Sequence, residues 1–322
     1  MACASIKLET EDKLDGSGDR LVLTRPPDAK SGDPASLPTG ATFEVAKGSP
    51  SSEEEARNAN RNIRSMRLAQ SGWTTKGYSY PLIYCTPEGT LSIMLKEQVI
   101  IEMTVDRTIR AICPGRFAAA SNSRANSSCI VHPKARVLQE DAKVFASFSG
   151  DKQAVIGPEG VVFTMKCLPN VYMISSQKAD GAVPYPRQCI QFPELPRDST
   201  LSLFYQSDYG AHCYEQCFQI VKNAQYEESQ GAVQIHVNGV TIKQTADNFV
   251  EIFVRPRYIS LSPTKDTVSI RTHYVHMGVQ EAEAAFIKRG VKRVHVSPSG
   301  MVVSDGNRTA SLDFNGNIVS TS

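Results

Sequence analysis

The 322-residue chain carries 35 Lys and Arg against 33 Asp and Glu, a net charge of +2, with 41% hydrophobic and 21% charged residues. This balance excludes a wholly disordered polyelectrolyte and gives no global attraction to nucleic acid or an anionic membrane, so any such binding needs a local patch. No run approaches the roughly 18–20 continuous apolar residues of a spanning helix, so no membrane partner is expected.

Glu9, Glu11 and Asp12 interrupt the N-terminus before it could build the apolar stretch of a signal peptide. An intracellular location, cytoplasmic or nuclear, is the expectation. The eight cysteines fit it. Cys85, Cys113 and Cys129 sit in apolar runs and read as small buried hydrophobes in a reducing compartment.

Residues 1–50 read as a disordered tail, with Asp15-Gly16-Ser17-Gly18, Pro26-Pro27 and Ser31-Gly32-Asp33-Pro34 and only short apolar islands. Residues 51–72 then predict a basic amphipathic helix. Ser52 and Glu55 form a capping box, Ala56, Ala59, Ile63 and Met66 make a narrow apolar stripe, and Arg57, Arg61, Arg64 and Arg67 cover much of the rest.

From about Tyr78 the hydrophobic period changes to two. A β-rich module over 77–226 is expected, its strands running from Leu82-Ile83-Tyr84-Cys85 through Val161–Lys166 and Val171–Ser175. Three corners share a signature: Pro87-Glu88-Gly89, Pro158-Glu159-Gly160 and Pro298-Ser299-Gly300, each followed by a strand. His132-Pro133-Lys134-Ala135 is a variant with alanine in the glycine position. Proline presets φ at a turn corner and glycine accepts what the reversal demands, so antiparallel hairpins are predicted rather than parallel βαβ units. Leu201 to Tyr205 looks extended, and Ala211, Tyr214, Phe218 and Val221 place a helix over Asp208 to Asn223 that closes this module.

A second antiparallel β module is expected over 231–322, where Asn238-Gly239, Asp305-Gly306 and Asn315-Gly316 are strong hairpin dipeptides. Val268 to Met277 reads as one strand, and a hairpin turning at Arg289-Gly290 is preferred to a short helix over Glu281 to Ile287. The fold class is therefore mainly β, with few helices.

The chemistry-bearing motifs are sparse. Gly16-Ser17-Gly18 lies in the tail with no strand before it, and neither a Gly-x-Ser-x-Gly elbow nor a His-Glu-x-x-His pair occurs. Cys213 and Cys217 share a helix face at i and i+4, but no second ligand pair lies nearby, so packing is favoured over metal binding. Cys129 and His132, three apart on a strand, diverge and do not make a nucleophile with its base. No enzyme activity, no metal and no cofactor are expected.

Two basic clusters remain: Arg57, Arg61, Arg64 and Arg67 with Ile63 and Met66 on the early helix, and Lys288, Arg289, Lys292 and Arg293 around the hairpin tip. The preferred function is a non-enzymatic protein–protein interaction scaffold that receives a peptide at a sheet edge or a sheet–helix groove. The alternative is a nucleic-acid-binding protein that uses the two basic clusters.

Overall fold

The computed structural model describes residues 80–175, 181–190, 192–207, 209–281 and 284–321, together with the backbone of two short paired strands, β1 (Lys7–Glu9) and β2 (Val22–Thr24). The basic helix expected at 51–72 lies outside these residues.

Two antiparallel sheets make up most of the described residues. The first contains β3 (Leu82–Cys85), β4 (Leu91–Met94), β5 (Ile100–Met103), β6 (Ile109–Cys113), β7 (Phe117–Ser121), β8 (Ser127–His132), β9 (Ala135–Glu140), β10 (Lys143–Phe148), β11 (Lys152–Ile156), β12 (Val161–Met165), β13 (Asn170–Ile174) and β14 (Val183–Pro186). The second contains β15 (Gln225–Ser229), β16 (Ala232–Val237), β17 (Val240–Gln244), β18 (Val250–Val254), β19 (Arg257–Ser262), β20 (Thr267–Arg271), β21 (His276–Val279), β22 (Ala285–Arg289), β23 (Lys292–Ser297), β24 (Gly300–Ser304), β25 (Thr309–Asp313) and β26 (Ile318–Thr321). In both sheets each strand pairs with the next in sequence, giving two 12-stranded meanders.

Alternation sets which side chains are buried. One cross-strand row in the first sheet runs Ile83, Ile93, Ile101, Ala111, Ala119, Ile130, Val137, Ala146, Ala154 and Phe163, directly opposite one another from β3 to β12. Its counterpart in the second sheet runs Ile235, Ile242, Ile252, Ile259, Ile270, Met277, Ile287, Val294, Val303 and Ala310. All of these residues belong to one apolar core shared by the two sheets. Each buried isoleucine contributes on the order of 2 kcal/mol of transfer free energy.

Polar clasps join the sheets along their length. Gln244 accepts from the Lys96 N–H and donates to its carbonyl, both at 3.1 Å. Asn238 donates to the Val105 carbonyl at 3.0 Å, Arg257 to the carbonyls of Arg107 and Ser121, Lys292 to those of Gly157 and Pro158, and Arg308 to that of Ser175. Early strands of one sheet therefore face early strands of the other. The chain must travel back along the first sheet before it starts the second, roughly 50 Å at about 4.8 Å per strand. Residues 187–224 make that return, carrying α1 (Ser199–Phe204) onto β6, β7 and β8 and α2 (Tyr214–Lys222) against β3.

Three expectations need correction. Leu201–Tyr205 is not extended: Leu201–Phe204 falls in α1 with Tyr205 as its C-cap, because Asp198 caps the helix by accepting from the Leu201 N–H at 3.0 Å, and Leu203 and Phe204 are both buried. The second helix is shorter than 208–223: Asp208 lies outside the described residues, and a 3-10 turn at Ala211–Cys213 precedes α2. Val268–Met277 is two strands, because Thr272 Oγ1 accepts from the Tyr274 and Val275 N–H groups and reverses the chain. β11, β14, β15 and β19 were not anticipated at all. The hairpin reversing at Arg289-Gly290 is present as β22 and β23.

The Pro-x-Gly corners have a steric reason. A Cβ on Gly89 would lie 2.2 Å from the Gly210 carbonyl oxygen, on Gly160 2.2 Å from that of Ile174, and on Gly300 2.3 Å from that of Leu312. At each corner another backbone segment approaches too closely for a side chain. In the variant corner Ala135 instead points its methyl into the core. Gly160→Ala is expected to cost about 2 kcal/mol through forced backbone displacement. Gly157→Ala at the same corner, where nothing lies within 4 Å, should stay within about 0.5 kcal/mol of the parent. Urea unfolding of the two variants side by side checks this, and equal losses would contradict it.

Candidate interaction groove

The return connection creates the most distinctive surface feature. Arg110, on the outward side of β6, donates through Nε to Thr200 Oγ1 at 3.0 Å, through Nη1 to Glu102 at 2.8 Å and through Nη2 to Asp198 at 2.9 Å. Asp198 is the α1 cap, so one nearly buried guanidinium ties the sheet to the helix N-terminus. Leu203 then packs on Ala120, Cys129 and Leu138 from the outer side of β7, β8 and β9. Burial against this helix pushes the Cys129 thiol up to about 12, which makes it a packing group rather than a nucleophile.

Beside α1 the outer face is open. A groove of about 500 Å³ is lined by outward side chains of the strands, by the hairpin tips at 113–117 and 132–135 and by the segment leading into the helix. Cross-strand pairing places Ile112, Ala118 and Val131 in one row on its floor. Arg116, Lys134, Arg136 and Arg197 stand around it. Arg136 is directly opposite Val131, and both Arg136 and Arg197 are exposed with no acidic partner among the described residues. Arg116 also reaches across to the Pro263 carbonyl of the second sheet. The arrangement is an apolar strip with a cationic rim.

Below the rim, His132 points the opposite way from Cys129. Its buried ring stacks on Phe117 with centroids 5.8 Å apart, and Nδ1 accepts from the Lys134 N–H at 3.1 Å. That leaves Nε2 to donate to Asp266, 3.2 Å from its carbonyl and 3.3 Å from its carboxylate. Burial pulls the imidazole below its usual value, against the opposing pull of Asp266. His132 is thus a neutral clasp between the sheets at the groove's end.

The residues singled out in the sequence are dispersed. Arg57, Arg61, Ile63, Arg64, Met66 and Arg67 lie outside the described residues. The β22–β23 hairpin divides the other cluster by alternation. Arg289 and Lys292 turn toward the first sheet, to the carbonyls of Asp141 and of Gly157 and Pro158, whereas Lys288 and Arg293 face solvent opposite each other. Cys213 and Cys217 pack under α2 at the Gly89 corner, where the Cys217 thiol donates to the Gly89 carbonyl at 2.9 Å. Cys85 lies against Cys217, and that contact together with burial drives the Cys85 thiol far above its ordinary value. Among the described residues no three His, Cys, Asp or Glu side chains are grouped to hold a metal ion, and no helix is long and apolar enough to cross a membrane.

Arg110, Arg136 and Arg197 were missed. Alternation around Val131 and Arg136 was visible, but Arg197 reaches the groove only through the return connection.

The family described as a domain of unknown function (DUF8796) matches residues 81–322, which covers both sheets. No curated protein matches the chain. Among solved structures, the wild-type TCP10 domain of Danio rerio CPAP in complex with a peptide of Danio rerio STIL is 8% identical, with a TM-score of 0.25 over 75% of this chain and 99% of that one. A second structure of the wild-type TCP10 domain of Danio rerio CPAP gives 10% identity and a TM-score of 0.21 over 74% and 98%. The G-box domain of the microcephaly protein CPAP gives 8% and 0.17 over 76% and 99%. Superpositions this weak carry no argument about a partner.

The Arg110–Asp198 link has a pH signature. Burial raises the Asp198 carboxyl, but hydrogen bonds from Thr200 and the Leu201 N–H, together with the Arg110 charge, outweigh it and hold the group below 3.8. Its folded value is below its unfolded value, so its contribution to stability is complete above 3.8 and is lost as the pH falls through the lower folded value. Thermal stability is expected to hold from about pH 7 to about pH 5 and to drop below about pH 4. Asp198→Asn keeps a capping side chain without the titration and should drop less steeply. Scanning fluorimetry across that range checks it, and identical slopes for parent and variant would count against the assignment.

Proposed function

The chain belongs to the family described as a domain of unknown function (DUF8796), and from that premise we propose that it is a non-enzymatic docking protein whose sheet–helix groove receives a segment of another protein. The observation that carries the reading is the combination of an apolar floor, Ile112, Ala118 and Val131, with an arginine rim at Arg136 and Arg197. Apolar strips that stay open on a sheet face mark binding surfaces, and aligned cations select the charge of what enters. The complementary ligand presents two or three aliphatic or aromatic side chains to the floor and Asp or Glu to the rim.

The surroundings support a preformed site. The floor belongs to strands paired on both sides, and the helix wall is pinned by Arg110 to Glu102, Asp198 and Thr200. A rigid groove loses little conformational entropy on binding, which favours specific capture of a short segment. Strand addition at a sheet edge fits less well at two edges: β14 carries Pro184 and Pro186, and β15 carries Glu227 and Glu228.

Peptide display against the full chain tests the proposal. Enriched sequences are expected to pair apolar anchors with flanking carboxylates. Val131→Arg and Arg136→Glu, both at partly or fully exposed positions, should each weaken capture about tenfold or more, with unchanged circular dichroism. Enrichment of sequences indifferent to both variants, or no enrichment at all, would overturn the reading.

A further inference from the structure

The solvent face of the second sheet carries a separate feature. Pairing between β20, β21, β22 and β23 places Arg271 opposite His276, His276 opposite Lys288 and Lys288 opposite Arg293. Three permanent cations and an imidazole thus form one row across four consecutive strands, spanning about 14 Å at about 4.8 Å per strand. Like charges placed directly opposite one another destabilise a sheet, and a face built only for solubility would intersperse the two signs. Folding therefore gives no reason for this row. Burial, and after it the charges of Lys288 and Arg271, pull His276 below its ordinary value.

Two carboxylates of this face are held by other groups. Glu281 pairs with Lys265 at 2.9 Å, and Glu251 accepts from the Tyr258 hydroxyl at 2.5 Å. Beside the row lies a depression of about 370 Å³, lined by Ser260, Ser269, His276, Gln280, Phe286 and the Lys265-paired Glu281 among others. Gly278 shapes it. A Cβ there would lie 2.8 Å from Ser269 Cβ and 3.0 Å from the Phe286 ring, so the missing side chain lets that ring settle across the strand. The Phe286 ring then meets His276 edge-on at 4.8 Å and lies 5.6 Å from Lys288 Nζ. Ser260 and Ser269 share a 2.8 Å hydroxyl contact on the floor, and the exposed Tyr274 lies against the His273 ring, tilted by 43°, at the adjacent reversal.

We propose that this face binds single-stranded nucleic acid, with backbone phosphates along Arg271, Lys288 and Arg293 and a base in the depression walled by His276 and Phe286. The row supplies a linear cationic track. The depression supplies hydroxyl and amide partners against aromatic walls, and the exposed Tyr274 ring extends the stacking surface. Tracks of cations with neighbouring planar groups are how single strands are held without sequence preference. An acidic peptide without aromatic side chains would match the cations but leave the depression without a planar guest.

Fluorescence anisotropy of labelled oligo-dT and oligo-U with the full chain tests this. Saturable binding is expected near 50 mM salt, with a slope of log K on log salt of about −2, from about −0.7 per phosphate contact on single strands. Combining Arg271→Glu, Lys288→Glu and Arg293→Glu, all at exposed positions, should weaken binding at least tenfold and flatten that slope, while Lys143→Glu at an exposed position of the first sheet leaves it unchanged. Absence of binding at low salt, wild-type affinity in the triple variant, or equal displacement of the oligonucleotide by polyglutamate would each overturn the proposal.

Discussion

Everything in this molecule rests on strand register. Two rows of aliphatic side chains, one from Ile83 to Phe163 and the other from Ile235 to Ala310, stay on the inner faces only because each hairpin returns the chain in phase. Side chains alternate with a period of two, so a one-residue slip at any turn would carry the rest of the sheet's apolar set to solvent. The tight corners hold that phase. Gly160 and Gly300 stand where a neighbouring carbonyl leaves no room for a side chain, and the Pro-x-Gly geometry sets both the reversal and the close approach.

The same phase organises the outer surfaces. Once the inner rows are set, the intervening residues must face outward in rows of their own. Ile112, Ala118 and Val131 become the floor of a groove, and Arg271, His276, Lys288 and Arg293 become a cationic track. Neither surface comes from a local motif. Each arises because residues about five to thirteen positions apart fall side by side on neighbouring strands. The return connection adds the one element that breaks the repetition. α1 covers part of the first sheet, anchored by Arg110, and leaves the groove open beside it.

The clasps between the sheets show how polar groups serve such a core. Arg257 is buried, with its guanidinium held down to about 10 by burial and by Arg107, yet it satisfies two carbonyls of the opposite sheet. His132, Gln244 and Lys292 act in the same way at other points along the sandwich. Lys292 and Arg289 read as binding groups in the sequence because charge density at a hairpin tip looks like an exposed patch. Their alternation with Lys288 and Arg293 sends them to the other face, where they fasten sheets instead of ligands.

Hairpin grammar made the β architecture legible from composition and spacing alone, because turn residues act locally and proline and glycine restrict φ wherever they stand. Short amphipathic runs were legible for the same reason, although Leu201–Phe204 passed for a strand until its cap at Asp198 was in view. Tertiary structure alone decided that the two meanders face each other in the same order, that residues 187–224 must run back along the first sheet, and that Arg197 comes beside Arg136. These depend on contacts between residues tens to more than a hundred positions apart. Periodicity carries no information about such distances, because the packing of whole sheets, rather than the preference of any segment, sets them.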